Sequence, residues 1–414
     1  MNYSWKINKN ILYVGTTILM LVFVFAFMAI VSPAQAAKSV SEAAISHYLT
    51  AQVNPALGNE EKIKAAIDAY FTTRYEGQKT LDAQDYSILV SAKTVAQEWL
   101  HKEKDKQEIE IFQGKTFDLK YLDYKYTLNY ENIEISGNTA SVLLFENNEV
   151  IYSLSAPTVT RLANLRHALS LEFEDNIWKI TNDDYRDELS QLMRDNSKLK
   201  IKQDIQNAHD AKIESSYFGK AGLAMPSLAT YNRTNAVNYA QSWWSYPGKS
   251  NDYLPMYTTI GYSGDCTNYA SQVIKAGGGV LDNSGTKKWF YSEGSIGDNF
   301  NNWSTYSDDT WSNSWSLVDN LYNYLVDNTT DTPGPKGTVY SLSSLCNMAG
   351  GDVIQLSSNG GSSYFHMVVV VSVGGGCTSD GHSVLVNSHD TDRQNYPLIS
   401  YSAYTKRLLG ISQP

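Results

Sequence analysis

The residue in this sequence best placed to do chemistry is Cys266, which follows Gly264 and Asp265 and precedes apolar residues at helical spacing. Aspartate is a common helix cap, and glycines such as those at 277–279 are typical of a helix end. We therefore predict a helix with Cys266 in its first turn. Its core face would be formed by Tyr269, Ala270, Val273 and Ile274.

This placement predicts a nucleophilic thiol at position 266. Backbone N–H groups and the positive end of the helix dipole stabilise a thiolate there, and such sites lower a cysteine pKa from ~8.5 to about 3.5–7.5. Asp265 opposes the effect because it is a like charge next to the sulfur. A cationic partner is therefore expected, and histidine is the natural candidate.

Three histidines occur in the last fifty residues, at His366, His382 and His389. Phe365 to Val373 reads as a strand that begins near His366, and Gly351 to Leu356 and Ser383 to Ser388 read as its neighbours. An antiparallel return from Ser383 would bring Asn387, His389 and Asp390 back toward the start of the strand. His366 is thus predicted as the general base, and His382 as a loop residue.

A base of this kind needs a group that fixes the imidazole tautomer, and a well-placed base contributes ~10² to 10⁴ in rate. We expect that group among the residues that return toward His366. Asn387 and His389 lie two residues apart and share a face of the predicted strand, so side-chain direction does not separate them.

Four segments carry a resemblance to a known family, and they occur in the family's order: 264–272, 351–355, 365–370 and 389–393. Over roughly 229–414 the sequence resembles the "putative amidase domain" of secreted Gram-positive proteins, within the papain-like group that includes NlpC-type and CHAP hydrolases. The extra residues of 374–381 depart from the family pattern.

The resemblance implies a role for each matching residue. It implies Cys266 as nucleophile, His366 as base and His389 as third member, because His389 matches the family's His-x-x-Asp segment. Asn387 competes for that role by analogy with the asparagine of papain-type triads. The implied activity is hydrolysis of an amide in cell-wall peptides or peptidoglycan through a thioester, with no cofactor and no metal.

Two other functions are open at this point. The aromatic and amide-rich sequence after Trp243 could be a non-catalytic module that binds cell-wall polymer, since aromatic rings stack on sugars. Tryptophans such as Trp243, Trp244 and Trp303 could equally fill a core. A metal-dependent enzyme would use His366, His382, His389 and Asp392 as ligands, at irregular spacing.

The N-terminus predicts export. Lys6 and Lys9 precede an uncharged apolar run, and Ala34-Gln35-Ala36 follows it, as in a cleaved signal peptide over 1–36. The alternative is an uncleaved anchor, since the run could just span ~30 Å of hydrocarbon. The predicted location is secreted or associated with the cell wall. In that oxidising compartment Cys346 and Cys377 could form a disulfide and leave Cys266 free.

The elements that must position these residues divide into three parts. Helical periodicity over 40–110, followed by alternating strands with turns at Gly137-Asn138 and Asp175-Asn176, predicts an N-terminal α+β domain over 37–184. Its order resembles the cone-shaped, nuclear-transport-factor-like folds. A helical stalk and linker over 185–228 then leads to the papain-like α+β domain over 229–414.

Length and charge limit the partners. The chain has 414 residues and a formal net charge of -10. A negative protein is a poor partner for nucleic acid, whose phosphates must be neutralised. Once the signal is removed no second long apolar run predicts membrane contact, and the sequence makes no prediction of oligomeric state.

Overall fold

The structure is a computed structural model that describes residues 33–218, 231–245, 265–292, 294, 309–328 and 333–413. Most of the predicted signal peptide and the glycine-containing joint of the predicted linker lie outside these residues. Within the described part of the chain, no helix has both the length and the apolarity needed to cross a membrane.

The described part of the first half of the chain contains five helices, and the first three confirm the predicted helical region over 40–110. Apolar spacing explains the packing of the second helix, which buries Ile63, Ile67 and Tyr70 on one face. The helices are α1 (Pro33–Val53), α2 (Asn59–Thr80), α3 (Thr94–Phe117), α4 (Glu188–Asp195) and α5 (Lys198–Phe218).

Four long antiparallel strands lie between α3 and α4, and both predicted hairpin turns are confirmed. Gly137, Asp175 and Asn176 adopt positive φ in those turns, which is the backbone that tight hairpins need. The strands are β1 (Tyr121–Ser136), β2 (Thr139–Tyr152), β3 (Val159–Glu174) and β4 (Ile177–Asp184).

The second half of the chain places short helices before a set of antiparallel strands. The helices are α6 (Arg233–Ser242), α7 (Asp265–Ala276), α8 (Asn313–Ser316) and α9 (Val318–Asp327). The strands are β5 (Tyr291–Ser292), β6 (Thr310–Trp311), β7 (Lys336–Tyr340), β8 (Val353–Ser357), β9 (His366–Val373), β10 (Val384–Ser388), β11 (Asp392–Pro397) and β12 (Thr405–Ser412). The three strands predicted around His366 are therefore present as β8, β9 and β10.

One sheet runs through both halves of the chain, in the order β1-β2-β3-β11-β10-β9-β8-β12-β7, with β4 paired to β3. The junction is an antiparallel pairing of β3 with β11, in which Asp392 lies opposite Ala163. The protein is thus a mixed α and β structure with a large antiparallel sheet, as the predicted α+β class requires.

The strands of the second half have two buried faces. Ile354, Val368 and Val370 join the apolar core that contains the helices of the first half. Val353, Met367 and Val369 point the other way, into a core formed with α6, α7 and α9. The second half therefore packs against the first half on one face and against its own helices on the other.

Candidate active site

Helix α7 begins at Asp265, which confirms the prediction that Cys266 lies in the first turn of a helix. All residues from Asp265 to Ile274 are buried, the polar ones as well as the predicted core face. Buried polar side chains need hydrogen-bond partners. Asn268 has them, because it donates to Asp265 and accepts from the Trp315 indole.

The structure brings Cys266, His366 and Asp390 together. One donor or acceptor atom from each of these side chains lies within 4.8 Å of the others. Cys266 comes from the start of α7, His366 from the start of β9, and Asp390 from the turn between β10 and β11. The predicted proximity of the thiol and the imidazole is therefore present.

The prediction of a ready thiolate is wrong. Burial raises the pKa of the Cys266 thiol well above its ordinary value, and the charge of Asp390 raises it further. Hydrogen bonds from the Thr267 side chain and the Met367 backbone lower it by less. Cys266 is only 1% exposed, so desolvation outweighs the helix dipole and the resting sulfur carries its proton.

His366 is also neutral at rest. Burial lowers the pKa of its imidazole, and the charges of Glu188 and Asp390 only partly offset this. A neutral imidazole next to a protonated thiol can accept a proton during nucleophilic attack. The ring also lies close to a residue from the first half of the chain, because Nε2 is 3.7 Å from a carboxylate oxygen of Glu188.

His389 makes no hydrogen bond to His366, because both ring nitrogens of His389 contact other groups. Nδ1 is 3.0 Å from an Asp265 carboxylate oxygen, and Nε2 is 2.7 Å from the backbone oxygen of Trp243. The ring also stacks on Tyr269 with centroids 4.2 Å apart. Both nitrogens thus face acceptors, which favours the charged imidazolium, and nearby acids raise the pKa of His389 to about 9 despite its burial.

Both polar atoms of the Asn387 side chain also make hydrogen bonds to groups other than His366. Its side-chain nitrogen donates to the Ala240 carbonyl oxygen, and its side-chain oxygen accepts from the Asn395 backbone N–H. These contacts tie β10 to α6 and β11. Of the candidate third members, the structure thus places His389 beside Asp265 at the helix start and Asn387 between neighbouring elements.

Asp390 is the returning residue that comes closest to the thiol and the imidazole. It has φ of 77°, in the left-handed region that non-glycine residues rarely adopt, and its side chain is exposed. The sequence indicated only that it returns toward His366. Its backbone conformation could not be read from residue type, although aspartate tolerates it better than most residues.

The other segments that carried the family resemblance support the strands. The carboxylate of Asp352 accepts hydrogen bonds from the backbone N–H groups of Ala349 and Ile411 and from Arg233. Gln355 donates to the backbone oxygen of Val318. These motif residues therefore position β8 and do not line the site.

The other two cysteines, Cys346 and Cys377, form a disulfide with Cα atoms 5.7 Å apart, a pairing that the sequence allowed but did not decide. Cys266 is free. The cluster around Cys266 also has the spacing at which a thiolate, an imidazole and a carboxylate could hold a metal ion. His382 and Asp392, which the metal-dependent hypothesis requires, do not belong to that cluster in the described residues.

Two tryptophans of the second half fill its interior, whereas Trp243 and Trp244 are half-buried and Trp311 is exposed. Trp289 and Trp315 are fully buried, and their rings lie 5.1 Å apart. Trp243 packs against the same core. Trp303 lies outside the described residues.

Comparisons with known proteins identify a family match in the second half of the chain. Residues 230–410 match the family model described as "Putative amidase domain". The match supports an amidase-family assignment for this part of the chain and, with it, a hydrolase that acts on C–N bonds. No solved structure matches.

One curated relative is the "Uncharacterized protein YhbB" of Bacillus subtilis (strain 168), which is 24% identical over 202 residues. The alignment covers 48% of this chain and 48% of the relative. The chain therefore spans about half the length of the curated relative that it matches.

Proposed function

We propose that the protein is an exported cysteine-dependent amidase that cleaves amide bonds in cell-wall peptides or peptidoglycan. The observation that carries the cysteine mechanism is the cluster of Cys266, His366 and Asp390 at the start of a helix, with all three reactive atoms within 4.8 Å. Amide hydrolysis is supported by the family match over 230–410. The cell-wall substrate rests on the predicted export and the family resemblance.

The mechanism follows from the resting protonation states. His366 takes the thiol proton as the sulfur of Cys266 attacks the amide carbon, and it then gives that proton to the leaving amine. The C–N bond breaks and a thioester forms. Water, deprotonated by the same imidazole, then attacks the thioester, which releases the acid and restores the thiol.

Asp390 and His389 have different tasks in this mechanism. The Asp390 carboxylate stabilises the imidazolium that forms when His366 takes the proton, since it belongs to the same cluster and its charge favours the protonated ring. His389 holds Asp265 and thereby the first turn of α7, which sets the position of the sulfur. We propose this supporting role for His389 and a similar one for Asn387.

The test compares peptidoglycan digests by mass spectrometry. The wild-type protein over 37–414 should release soluble fragments with newly formed carboxyl and amine ends, and Cys266→Ala should release none. His366→Gln should lose about 10²-fold or more in rate, as expected for loss of a general base. His382→Gln is the matched control, because this histidine lies in the loop before β10, and it should retain activity.

A chelator distinguishes the cysteine mechanism from the metal-dependent hypothesis. A cysteine amidase keeps its activity with a chelator present, whereas loss of activity in both chelator and His382→Gln would support a metal enzyme. Release of fragments by Cys266→Ala at the wild-type rate would overturn the cysteine mechanism.

One observation favours the second candidate, a non-catalytic module that binds cell-wall polymer. Cys266 is only 1% exposed, and a nucleophile must meet its substrate. A pull-down on purified cell walls tests this alternative. Retention of both wild type and Cys266→Ala, with no fragment released by either, would establish binding without catalysis.

A further inference from the structure

The Nε2 atom of His366 is a buried polar atom without a hydrogen-bond partner in the described part of the chain. Leaving such an atom unpaired destabilises the folded protein, so its surroundings require an explanation. The nearest carboxylate oxygen is Oε1 of Glu188, at 3.7 Å. This residue begins α4 and lies outside the segment that matches the amidase family.

The direction of the His366 side chain explains why a residue from the first half of the chain reaches it. His366 lies opposite Leu356 in the sheet, and by strand alternation it shares a face with Val368. That face packs against the core containing the helices of the first half. Glu188, at the start of α4, therefore lies close to the imidazole.

Glu188 is held firmly at this position. Its carboxylate accepts hydrogen bonds from Arg393, at 3.1 and 3.3 Å, and from the Tyr401 hydroxyl, at 3.0 Å. Burial alone would raise its pKa, but the charge and the hydrogen bonds of Arg393 lower it below the ordinary value. A charged carboxylate is thus fixed against the imidazole, with 5% of the residue exposed.

Helix α4 itself is anchored by the first half of the chain. Its cap is Asp187, which accepts a hydrogen bond from the Ser190 backbone N–H. The same carboxylate binds the ammonium of Lys106 on α3, at 2.8 and 2.9 Å. The position of Glu188 therefore depends on α3 as well as on β11.

We propose that Glu188 is a positioning residue for His366. The Glu188 carboxylate accepts a hydrogen bond from the Nε2–H group of His366, so that Nδ1 of the same ring is free to take the proton of Cys266. This inference rests on the proposed cysteine amidase and deepens it. At 3.7 Å the two groups interact through charge, and the imidazolium formed during attack draws them into a hydrogen bond. The first half of the chain thereby completes the active site.

Several charged groups face His366, and together they set the expected pH dependence. Glu188 and Asp390 favour the imidazolium, whereas Arg393 and His389 oppose it. Removing the charge of Glu188 should lower the pKa of His366 further. Because the neutral imidazole is the active base, the acidic limb of kcat/KM should then move to lower pH.

The kinetic experiment uses Glu188→Gln and Glu188→Asp in the protein over 37–414, with peptidoglycan as substrate. Glu188→Gln should lower kcat by about 10²-fold or more, as loss of a tautomer-fixing carboxylate does, and should shift the acidic limb to lower pH. KM should change by less than about threefold, because the residue binds no substrate. Glu188→Asp keeps the charge and should keep the wild-type acidic limb.

The matched control is Glu149→Gln, which removes an exposed carboxylate from β2 that pairs with Arg161. It should leave kcat and the acidic limb unchanged. If Glu188→Gln folds and keeps both kcat and the acidic limb of an active wild type, the positioning role is overturned while the proposed amidase stands.

A second measurement needs neither activity nor a stable Glu188 variant. In the Cys266→Ala protein, ¹⁵N chemical shifts of the His366 ring, assigned by comparison with His366→Gln, report which nitrogen carries the proton. The expected neutral form has the proton on Nε2. A proton on Nδ1 would overturn the inference, whatever the outcome of the peptidoglycan digests.

Discussion

At the scale of the residue, the first turn of α7 combines two opposing effects on Cys266. The helix start favours a thiolate, but burial and the nearby Asp390 charge raise the pKa of the thiol. The desolvation effect is larger because the residue is only 1% exposed. In the proposed amidase the thiol and the imidazole are therefore both neutral at rest, and no permanent thiolate–imidazolium pair is expected.

This state predicts a specific pH dependence of alkylation. Under non-reducing conditions iodoacetamide can label only Cys266, because the other two cysteines are bonded to each other. In the native protein the labelling rate should rise about tenfold per pH unit from pH 7 to beyond pH 9, following the thiolate fraction. The measurement is the rate of mass increase between pH 6 and pH 10.

The same labelling in urea serves as the control, where the thiol should titrate near its ordinary pKa of about 8.5. Limited access slows labelling equally at every pH, so the slope reports ionisation and the absolute rate reports burial. A native rate that is constant between pH 6 and pH 8 would mean that the thiolate already exists there, and it would contradict a neutral resting pair.

At the scale of the element, Gly351 precedes β8 at a position where a side chain would not fit. Its φ of 85° is unfavourable for residues with a side chain, and an added Cβ would lie 2.8 Å from Cβ of Ala236 and 2.8 Å from the hydroxyl of Tyr231. The missing side chain thus allows α6 and the residues before it to pack against the start of β8.

Gly351→Ala should therefore destabilise the protein through strain and through crowding. Gly360→Ala is the matched control, since Gly360 also has positive φ, at 71°, but nothing lies within 4 Å of its added Cβ. We expect Gly360→Ala to cost about 1–2 kcal/mol and Gly351→Ala at least about 1–3 kcal/mol more. Thermal unfolding of both variants measures the difference, and equal melting temperatures would show that crowding has no effect.

Local elements could be predicted from the sequence because their causes are local. The hairpin turns at Gly137-Asn138 and Asp175-Asn176 depend on residues that tolerate positive φ, and α7 follows from apolar residues at helical spacing after Cys266. The partners of His366 could not be predicted in this way. Glu188 lies 178 positions before it, and no spacing or periodicity links the two residues.

The third member of the candidate site could not be predicted from the sequence for the same reason. His389 and Asn387 return toward His366 as the antiparallel register requires, but their polar atoms bond Asp265, Trp243, Ala240 and Asn395. Alternation along a strand fixes which residues share a face and not which neighbour each side chain reaches. Only the packing of α6 and α7 on the sheet decides this.

At the scale of the whole molecule, the sheet and the larger core join the two halves of the chain. Strand β3 pairs with β11, and Ile354, Val368 and Val370 of the second half lie in one core with the helices of the first half. The family match begins only at residue 230. The matched segment therefore has a buried face that the rest of the chain covers.

This architecture predicts that the protein over 229–414 does not fold independently. Its isolated form would expose the apolar face of β8 and β9, the edge of β11 and the charge of Arg393 without Glu188, and each exposure favours association or unfolding. We expect this fragment to aggregate or to bind a hydrophobic dye without cooperative melting, whereas the protein over 37–414 melts in a cooperative transition. Circular dichroism melting and size-exclusion chromatography of both proteins make the comparison. A fragment that is monomeric, melts cooperatively at the temperature of the longer protein and cleaves peptidoglycan at the same rate would show that the first half neither stabilises nor completes the site.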